Sequence, residues 1–243
     1  MRHYFYKLIL SYDGTLYHGY QKQPNTKTIQ QTLEDTLKLM TNCIINTIAA
    51  SRTDKGVHAQ GQTLHFKTPF YIITQQFKTT LNHLLPPDIR VKQMQIVPST
   101  FHARYLVKSK TYHYFFAKTP LNAFNYRFQV FYANLDFAKM KLALSLIVGK
   151  HDFTSFTNEK QNKKFIKNIF HAFFKETSQQ YILIIHADGF LRYMVRFLVG
   201  SLIEIGKNRL SLELFQAMLW RQTKQKATFL APAKGLLLKK IFY

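Results

Sequence analysis

Acidic residues are scarce in this chain: 12 Asp and Glu stand against 34 Lys and Arg, a formal net charge of +22 over 243 residues. Self-repulsion at that charge destabilises a compact state, and a polyanionic partner relieves it. Cysteine is scarcer still. Cys43 stands alone, which excludes an intrachain disulfide and a cysteine-rich zinc site and fits a reducing cytoplasm. Long apolar runs are missing as well. The most apolar stretch, Phe190 to Ile205, is interrupted by Arg192, Arg196 and Glu204 and is too short to span a bilayer. Met1 to Tyr12 carries Arg2 and Lys7 and lacks a small-residue cleavage site, so it does not read as a signal peptide. His58, His65, His102 and His151 match no zinc-ligand spacing.

What the chain has in quantity is aromatic side chains, 22 Phe and 14 Tyr interleaved with the cations. A disordered basic tail would be one block poor in aromatics. Here the charge recurs at Lys108 and Lys110, Lys160 to Lys167, Arg221 to Lys226, and Lys239 and Lys240. A folded RNA-binding surface needs that mixture, with rings for stacking and cations for phosphates. A hydrophobic fraction of 47% suits one large domain or two small fused ones with a real core.

Along the chain, Tyr4 to Ser11 reads as a strand ending in the turn signal Tyr12-Asp13-Gly14. Thr28 with Gln31 suggests a capping box, after which Ile29, Leu33, Leu37 and Met40 share one helical face. Ile44 to Ala50 reads as a strand. A second helix is expected over Thr74 to Leu85, with Phe77, Leu81 and Leu84 inward and Pro86-Pro87 as its stop. Tyr112, Tyr114 and Phe116 alternate with His113 and Phe115 in a strand. A third helix is expected from about Asp136 to Val148, with Gly149 following its end. Tyr181 to His186 reads as a buried strand, and Phe190 to Ile205 as a buried helix with Arg192 and Arg196 on one face. A short helix from Ser211 and a strand from Leu236 to Phe242 follow. No Pro/Gly/Ser linker interrupts this order. The expected fold is therefore α+β, two similar α/β halves sharing a continuous, mainly antiparallel sheet with a central active-site cleft. The halves are expected at 1–105 and 106–243.

The most telling run is Ser51-Arg52-Thr53-Asp54-Lys55-Gly56-Val57-His58-Ala59. It sets one carboxylate in a loop between two cations, which favour its ionised form. Gly56 lets the chain turn sharply beside it. His58 reads as fixing the loop through a hydrogen bond. Taken as a whole, the run resembles the signature loop of the TruA family of tRNA pseudouridine synthases. Further matches follow in the family's order. They are Tyr12-Asp13-Gly14-Thr15 through Gly19-Tyr20-Gln21 to Gln23-Pro24-Asn25, Leu81-Asn82 with Leu84 to Ile89, and Phe101-His102-Ala103-Arg104 with Lys110-Thr111-Tyr112-His113-Tyr114. His151-Asp152-Phe153 with Ser155-Phe156, Gly189-Phe190-Leu191 with Met194-Val195-Arg196 and Val199-Gly200, and Ala231-Pro232-Ala233 with Gly235-Leu236 complete the series. The chain departs from the family pattern with Tyr20 where Trp is usual, and with Ser51, Lys167 and Phe197 where Gly, Arg and Asn are common.

The resemblance implies a tRNA pseudouridine(38–40) synthase, an isomerase acting on uridine in the anticodon stem-loop around nucleotides 38–40. It implies Asp54 as the catalytic carboxylate and Arg52 as the group that extrudes the base or fills its gap. Tyr112 would stack on the flipped uracil, Arg196 would pair with Asp54, and Leu236 would wall the pocket. The chemistry moves the uracil bond from N1 to C5 of the same base, so no cofactor and no metal is expected. The family acts as a cytoplasmic homodimer on tRNA, and no membrane partner is implied. Two other readings keep less of this: a pseudouridine synthase for another RNA, and a catalytically silent RNA-binding protein. An intact set of Arg52, Asp54, Tyr112 and Arg196 speaks against silence.

Overall fold

In the computed structural model of this protein the described residues are 3–159 and 165–243. Met1, Arg2 and residues 160–164, which hold most of the basic run Lys160 to Lys167, lie outside them. Five helices and nine strands are present among the described residues, paired mostly antiparallel, so the fold is α+β. No helix among the described residues is long and apolar enough to cross a membrane. The chain divides into two compact units, Met1–Lys108 with Leu237–Tyr243, and Ser109–Leu236.

The first unit is built on strands β1 (Tyr4–Tyr12), β2 (Ile48–Ala49), β3 (His58–Thr68), β4 (Ile89–Val97) and, from Leu237 onward, β9 (Leu236–Phe242). Their order is β4-β1-β3-β9, and β2 also pairs with β3. The alternation in β1 is the cause of its form: Tyr6, Leu8, Leu10 and Tyr12 are buried while the residues between them are half-buried. Helix α1 (Ile29–Thr41) starts at Thr28, whose side chain accepts from the Gln31 N–H, and it buries Ile29, Leu33 and Leu37 completely. The expected capping box is only half formed, because the Gln31 side chain donates to Asp35 at 2.6 Å instead. Met40 is not part of the buried face.

Two expectations fail here. The strand foreseen over Ile44 to Ala50 shrinks to β2, because the Thr47 N–H and hydroxyl donate to Glu34 of α1 at 2.7 and 2.8 Å rather than to a sheet neighbour. Helix α2 (Thr74–Leu84) stops one residue early, and Leu85 is extended, as a residue before proline prefers. That switch turns Leu85 inward and leaves Leu84 46% exposed, where an inward Leu84 was expected.

His65 on β3 accepts from the Ala103 N–H at 3.1 Å through Nδ1, and its ring meets that of His102 at 4.8 Å between centroids. Burial lowers its pKa from the ordinary 6.5, and the nearby His102 lowers it further. A depressed histidine pKa gives stability that is complete above the unfolded value and lost as pH falls below it towards the folded value. The urea midpoint is therefore expected to drop as pH falls through and below about 6.5. His65→Gln is expected to flatten part of that drop; an unchanged pH profile in the variant would contradict the assignment.

The second unit orders its strands β5 (Ser109–Ala117), β8 (Gln180–Ala187), β7 (Ile166–Glu176) and β6 (Gly149–Asp152), all antiparallel. Tyr112, Tyr114 and Phe116 face inward from β5. Strand β8 is buried on one face only, at Leu183, Ile185 and Ala187, and Ile182, Ile184 and His186 on the other are half-buried, which corrects its reading as a buried strand. Helix α3 (Phe137–Leu146) is capped by Asp136 and ends before the expected Val148, and Gly149 (φ 103) begins β6. Helix α4 (Met194–Gly206) is buried on nearly all sides, and α5 (Leu212–Leu219) is capped by Ser211 as expected.

Candidate active site

The Asp54 loop lies in the first unit, between β2 and β3. Its residues alternate in burial: Ser51 and Thr53 are buried, Arg52 is exposed and Asp54 is half-buried. A short polar loop with buried backbone must find partners for its N–H and C=O groups, and it finds them on several sides. The Gln62 amide reaches both backbone groups of Ser51, accepting from its N–H at 3.3 Å and donating to its carbonyl at 2.6 Å. The Thr53 carbonyl accepts from the Tyr20 N–H at 3.1 Å. The Tyr12 and Thr53 hydroxyls are 2.8 Å apart. The Val57 N–H donates to the Asp54 carbonyl at 3.1 Å, closing the turn over Lys55-Gly56, where Gly56 has φ 77.

Two glycines of the first family segment let the chain come this close. A Cβ on Gly14 would lie 2.1 Å from the Val57 carbonyl oxygen, and one on Gly19 2.7 Å from that of Thr53. His58 does fix the loop, as expected: its Nδ1 accepts from the Gly14 N–H at 3.1 Å. The Asp13 carboxylate also lies 3.1 Å from that nitrogen. A neutral ring can accept from Gly14, whereas a protonated one must turn its N–H to Asp13.

Tyr112, Arg196 and Leu236 belong to the second unit. Tyr112 is 6% exposed, and its ring meets Phe190 edge-on at 5.1 Å between centroids. Arg196 sits in the first turn of α4, where its Nε donates to the Ala231 carbonyl at 2.8 Å while the Ala231 N–H donates back to the Arg196 carbonyl at 3.1 Å. Gly200 makes that approach possible, since a Cβ there would stand 1.8 Å from the Phe229 carbonyl oxygen. The Tyr114 hydroxyl donates to the Pro232 carbonyl at 2.9 Å, and Gly235 presses on the Tyr114 ring. Leu236 follows directly and is buried. The guanidinium of Arg196 and the stretch leading to Leu236 are thus parts of one local assembly.

Arg192 differs from expectation. It precedes α4 rather than lying within it, because Tyr193 caps the helix in the left-handed region at φ 62. That conformation is costly for a bulky residue. Two cation–π contacts of the Tyr193 ring offset that cost, with the Arg192 guanidinium at 4.9 Å and that of Arg196 at 5.7 Å. Tyr193, Phe190 and Gln62 were not singled out for the site in the sequence. Phe190 had a signal in the Gly189-Phe190-Leu191 run; Tyr193 and Gln62 reveal themselves through backbone angle and hydrogen bonding. Among the described residues no three His, Cys, Asp or Glu side chains gather where they could hold a metal ion.

The family model described as tRNA pseudouridine synthase matches residues 8–106 and 143–243. The chain belongs to the tRNA pseudouridine synthase family. Among its relatives, the tRNA pseudouridine synthase A of Onion yellows phytoplasma (strain OY-M) is 64% identical over 243 residues, covering all of both chains. That of Phytoplasma mali (strain AT) is 52% identical over the whole of both chains. The one from Exiguobacterium sibiricum is 40% identical and covers 98% of this chain and 96% of its own. Each carries the same name, tRNA pseudouridine synthase A.

One departure from the family pattern has a measurable cost. The Tyr20 ring is 1% exposed beside the loop, and its hydroxyl makes no well-formed hydrogen bond among the described residues, although the Thr47 hydroxyl lies near enough to oppose part of the effect of burial. Burial pushes that hydroxyl's pKa far up. A buried hydroxyl without a partner costs about 1–3 kcal/mol of desolvation, whereas a phenyl ring of the same shape carries no such group. Tyr20→Phe is therefore expected to stabilise the protein by roughly 1 kcal/mol, read as a higher urea midpoint at unchanged slope. A lower midpoint would show that the hydroxyl is satisfied after all.

Proposed function

We propose that this protein isomerises uridine to pseudouridine in tRNA, in the anticodon stem-loop around nucleotides 38–40, with Asp54 as the catalytic carboxylate. The observation that carries the reading is the Asp54 loop itself: a half-buried carboxylate on a backbone that is buried and hydrogen-bonded at Ser51 and Thr53 before it and closed after it by the Val57 N–H on its own carbonyl. Rigidity of that kind serves a group that must meet a reacting atom. Family membership and the tRNA pseudouridine synthase A names of its relatives support the reaction.

In this reaction the N1–C1′ bond breaks, the freed uracil turns, and C5 bonds to C1′. The C5 proton leaves and N1 regains one, so atoms and electrons balance without an electron carrier. Asp54 either attacks the sugar or removes one of its protons; both routes need the carboxylate ionised. The uridine must leave the stack first. Arg52, exposed on the same loop, is proposed to extrude the base or fill its place. Tyr112 is proposed to lie against the uracil and take part in moving the C5 proton. Arg196 is proposed as the charge partner of Asp54 and Leu236 as a pocket wall, both on the resemblance. The protein is further proposed to act as a cytoplasmic homodimer with no cofactor and no metal.

Asp54→Asn keeps the shape of the side chain and removes the nucleophile and base. It is expected to abolish pseudouridine formation in single-turnover assays while tRNA affinity stays within about twofold of wild type. Turnover by the purified variant would overturn the role of Asp54.

The net charge of +22 leads to a second expectation. The affinity for tRNA should fall linearly on a log–log plot against salt, because neutralised phosphates release counterions. Lys55 is exposed on the Asp54 loop, and Lys55→Gln is expected to reduce the magnitude of that slope by about one. An unchanged slope would mean that this lysine meets no phosphate.

A further inference from the structure

Strand β3 gives one edge to β1 and shares the other between two short partners. At its start His58 and Ala59 pair with Leu237 and Leu238 of β9, and further along Leu64 and His65 pair with Ala49 and Ile48 of β2. The ladder beside β2 continues for one more backbone bond, from the Ala50 N–H to the Thr63 carbonyl at 2.8 Å. There the chain of the Asp54 loop leaves the sheet. A Cβ on Gly61 would stand only 2.5 Å from the Lys239 carbonyl oxygen, so β9 already occupies the edge beyond. Between these two partners, the fully buried side chain of Gln62 stands in for a peptide group, bonding both the N–H and the carbonyl of Ser51.

The same amide nitrogen lies 3.4 Å from the Tyr12 hydroxyl oxygen, and that oxygen is 2.8 Å from Thr53 Oγ1. The Tyr12 oxygen thus accepts from Gln62 and shares a second hydrogen bond with the Thr53 hydroxyl, in which either group can donate. Gln62, Tyr12 and Thr53 are 0%, 4% and 7% exposed, so each bond in the series is shielded from water. The series therefore grips the loop at Ser51 and at Thr53, on either side of Arg52 and directly before Asp54.

We propose that Gln62 and Tyr12 are positioning residues for catalysis: a buried amide–phenol–hydroxyl relay that sets the direction of the Asp54 carboxylate through the backbone of Ser51 and the side chain of Thr53. The proposal rests on the catalytic role given to Asp54 above. Folding alone does not need this device. A buried loop requires partners for its backbone, which Gln62 supplies, whereas the Tyr12–Thr53 contact satisfies only two hydroxyls that Phe and Val would not possess. Its effect is to fix the side chain next to the carboxylate, and a displacement of about 1 Å in a catalytic group is enough to cost up to about a hundredfold in rate.

The test uses the full-length protein with tRNA transcript under single-turnover conditions, beside direct tRNA binding and thermal melting. Tyr12→Phe and Thr53→Val each remove one hydroxyl and keep the packing volume. Each is expected to lower the bound-state rate by roughly tenfold while affinity stays within about twofold. Thr53→Ser restores a hydroxyl and is expected to recover most of the rate lost in Thr53→Val. Because the two substitutions break one bond, the double variant should be no slower than the slower single one. Gln62→Met, which strips both Ser51 groups of their partner, is expected to lower the melting temperature as well as the rate.

Tyr12→Phe at the wild-type bound-state rate, or a Tyr12→Phe/Thr53→Val defect equal to the product of the two single defects, would overturn the relay. So would a loss explained wholly by weaker tRNA binding. Asp54→Asn is run alongside to separate the two readings. If Asp54→Asn is inactive and Tyr12→Phe is unimpaired, the relay alone is wrong; if Asp54→Asn turns over, the catalytic reading fails and the relay fails with it.

Discussion

The first unit depends on one constraint, the need to satisfy the backbone of a polar loop that enters a packed interior. The eight residues of loop between β2 and β3 cannot all pair with strands, because β1 fills one edge of β3 and β9 takes the start of the other. Side chains and turns must close the remaining bonds, since each buried N–H or carbonyl left alone costs about 1–3 kcal/mol. The solution places glycine where chain segments press together, at Gly14 and Gly19, and an amide side chain where the ladder stops, at Gln62.

The second unit meets a comparable demand by different means. Its helix α4 is apolar on nearly every side and brings Arg196 in on its first turn. A guanidinium there must spend some of its donors on the protein, and the Ala231 carbonyl takes the one at Nε. The planar fork then has a defined direction for its remaining donors. Tyr193 adds to this by lying against both neighbouring guanidiniums in a backbone conformation that few bulky residues adopt.

Legibility in the sequence followed the range of the interactions. The cap at Thr28, the α1 face of Ile29, Leu33 and Leu37, the alternation of Tyr112, Tyr114 and Phe116, and the closing strand all rest on spacing along the chain, and all are present. The errors arose where a distant group or a single backbone angle decided the outcome. Glu34 drew Thr47 out of a strand, Leu85 displaced Leu84 from the interior, and the left-handed Tyr193 excluded Arg192 from α4. Strand β7 went unread because Phe170, Phe173 and Lys175 all face outward, so its pattern lacks a clean polar face. The Asp54 loop was legible as a motif, yet its supports at Gln62 and Tyr12 were not, because hydrogen bonds between residues 50 apart leave no periodic trace.

The contact between Gly200 and Phe229 also limits how this protein can vary. A carbon added to α4 at that point would have to push the Phe229 carbonyl aside, and the strip from Phe229 to Ala231 would move with it. Ala231 is the residue that fixes the Nε of Arg196, so the disturbance would arrive at a charged group as a change of aim. Drift in this lineage can therefore alter Gly200 only together with the strip that faces it. A hydrogen atom in the core of a helix thus serves as the gauge against which an arginine is set.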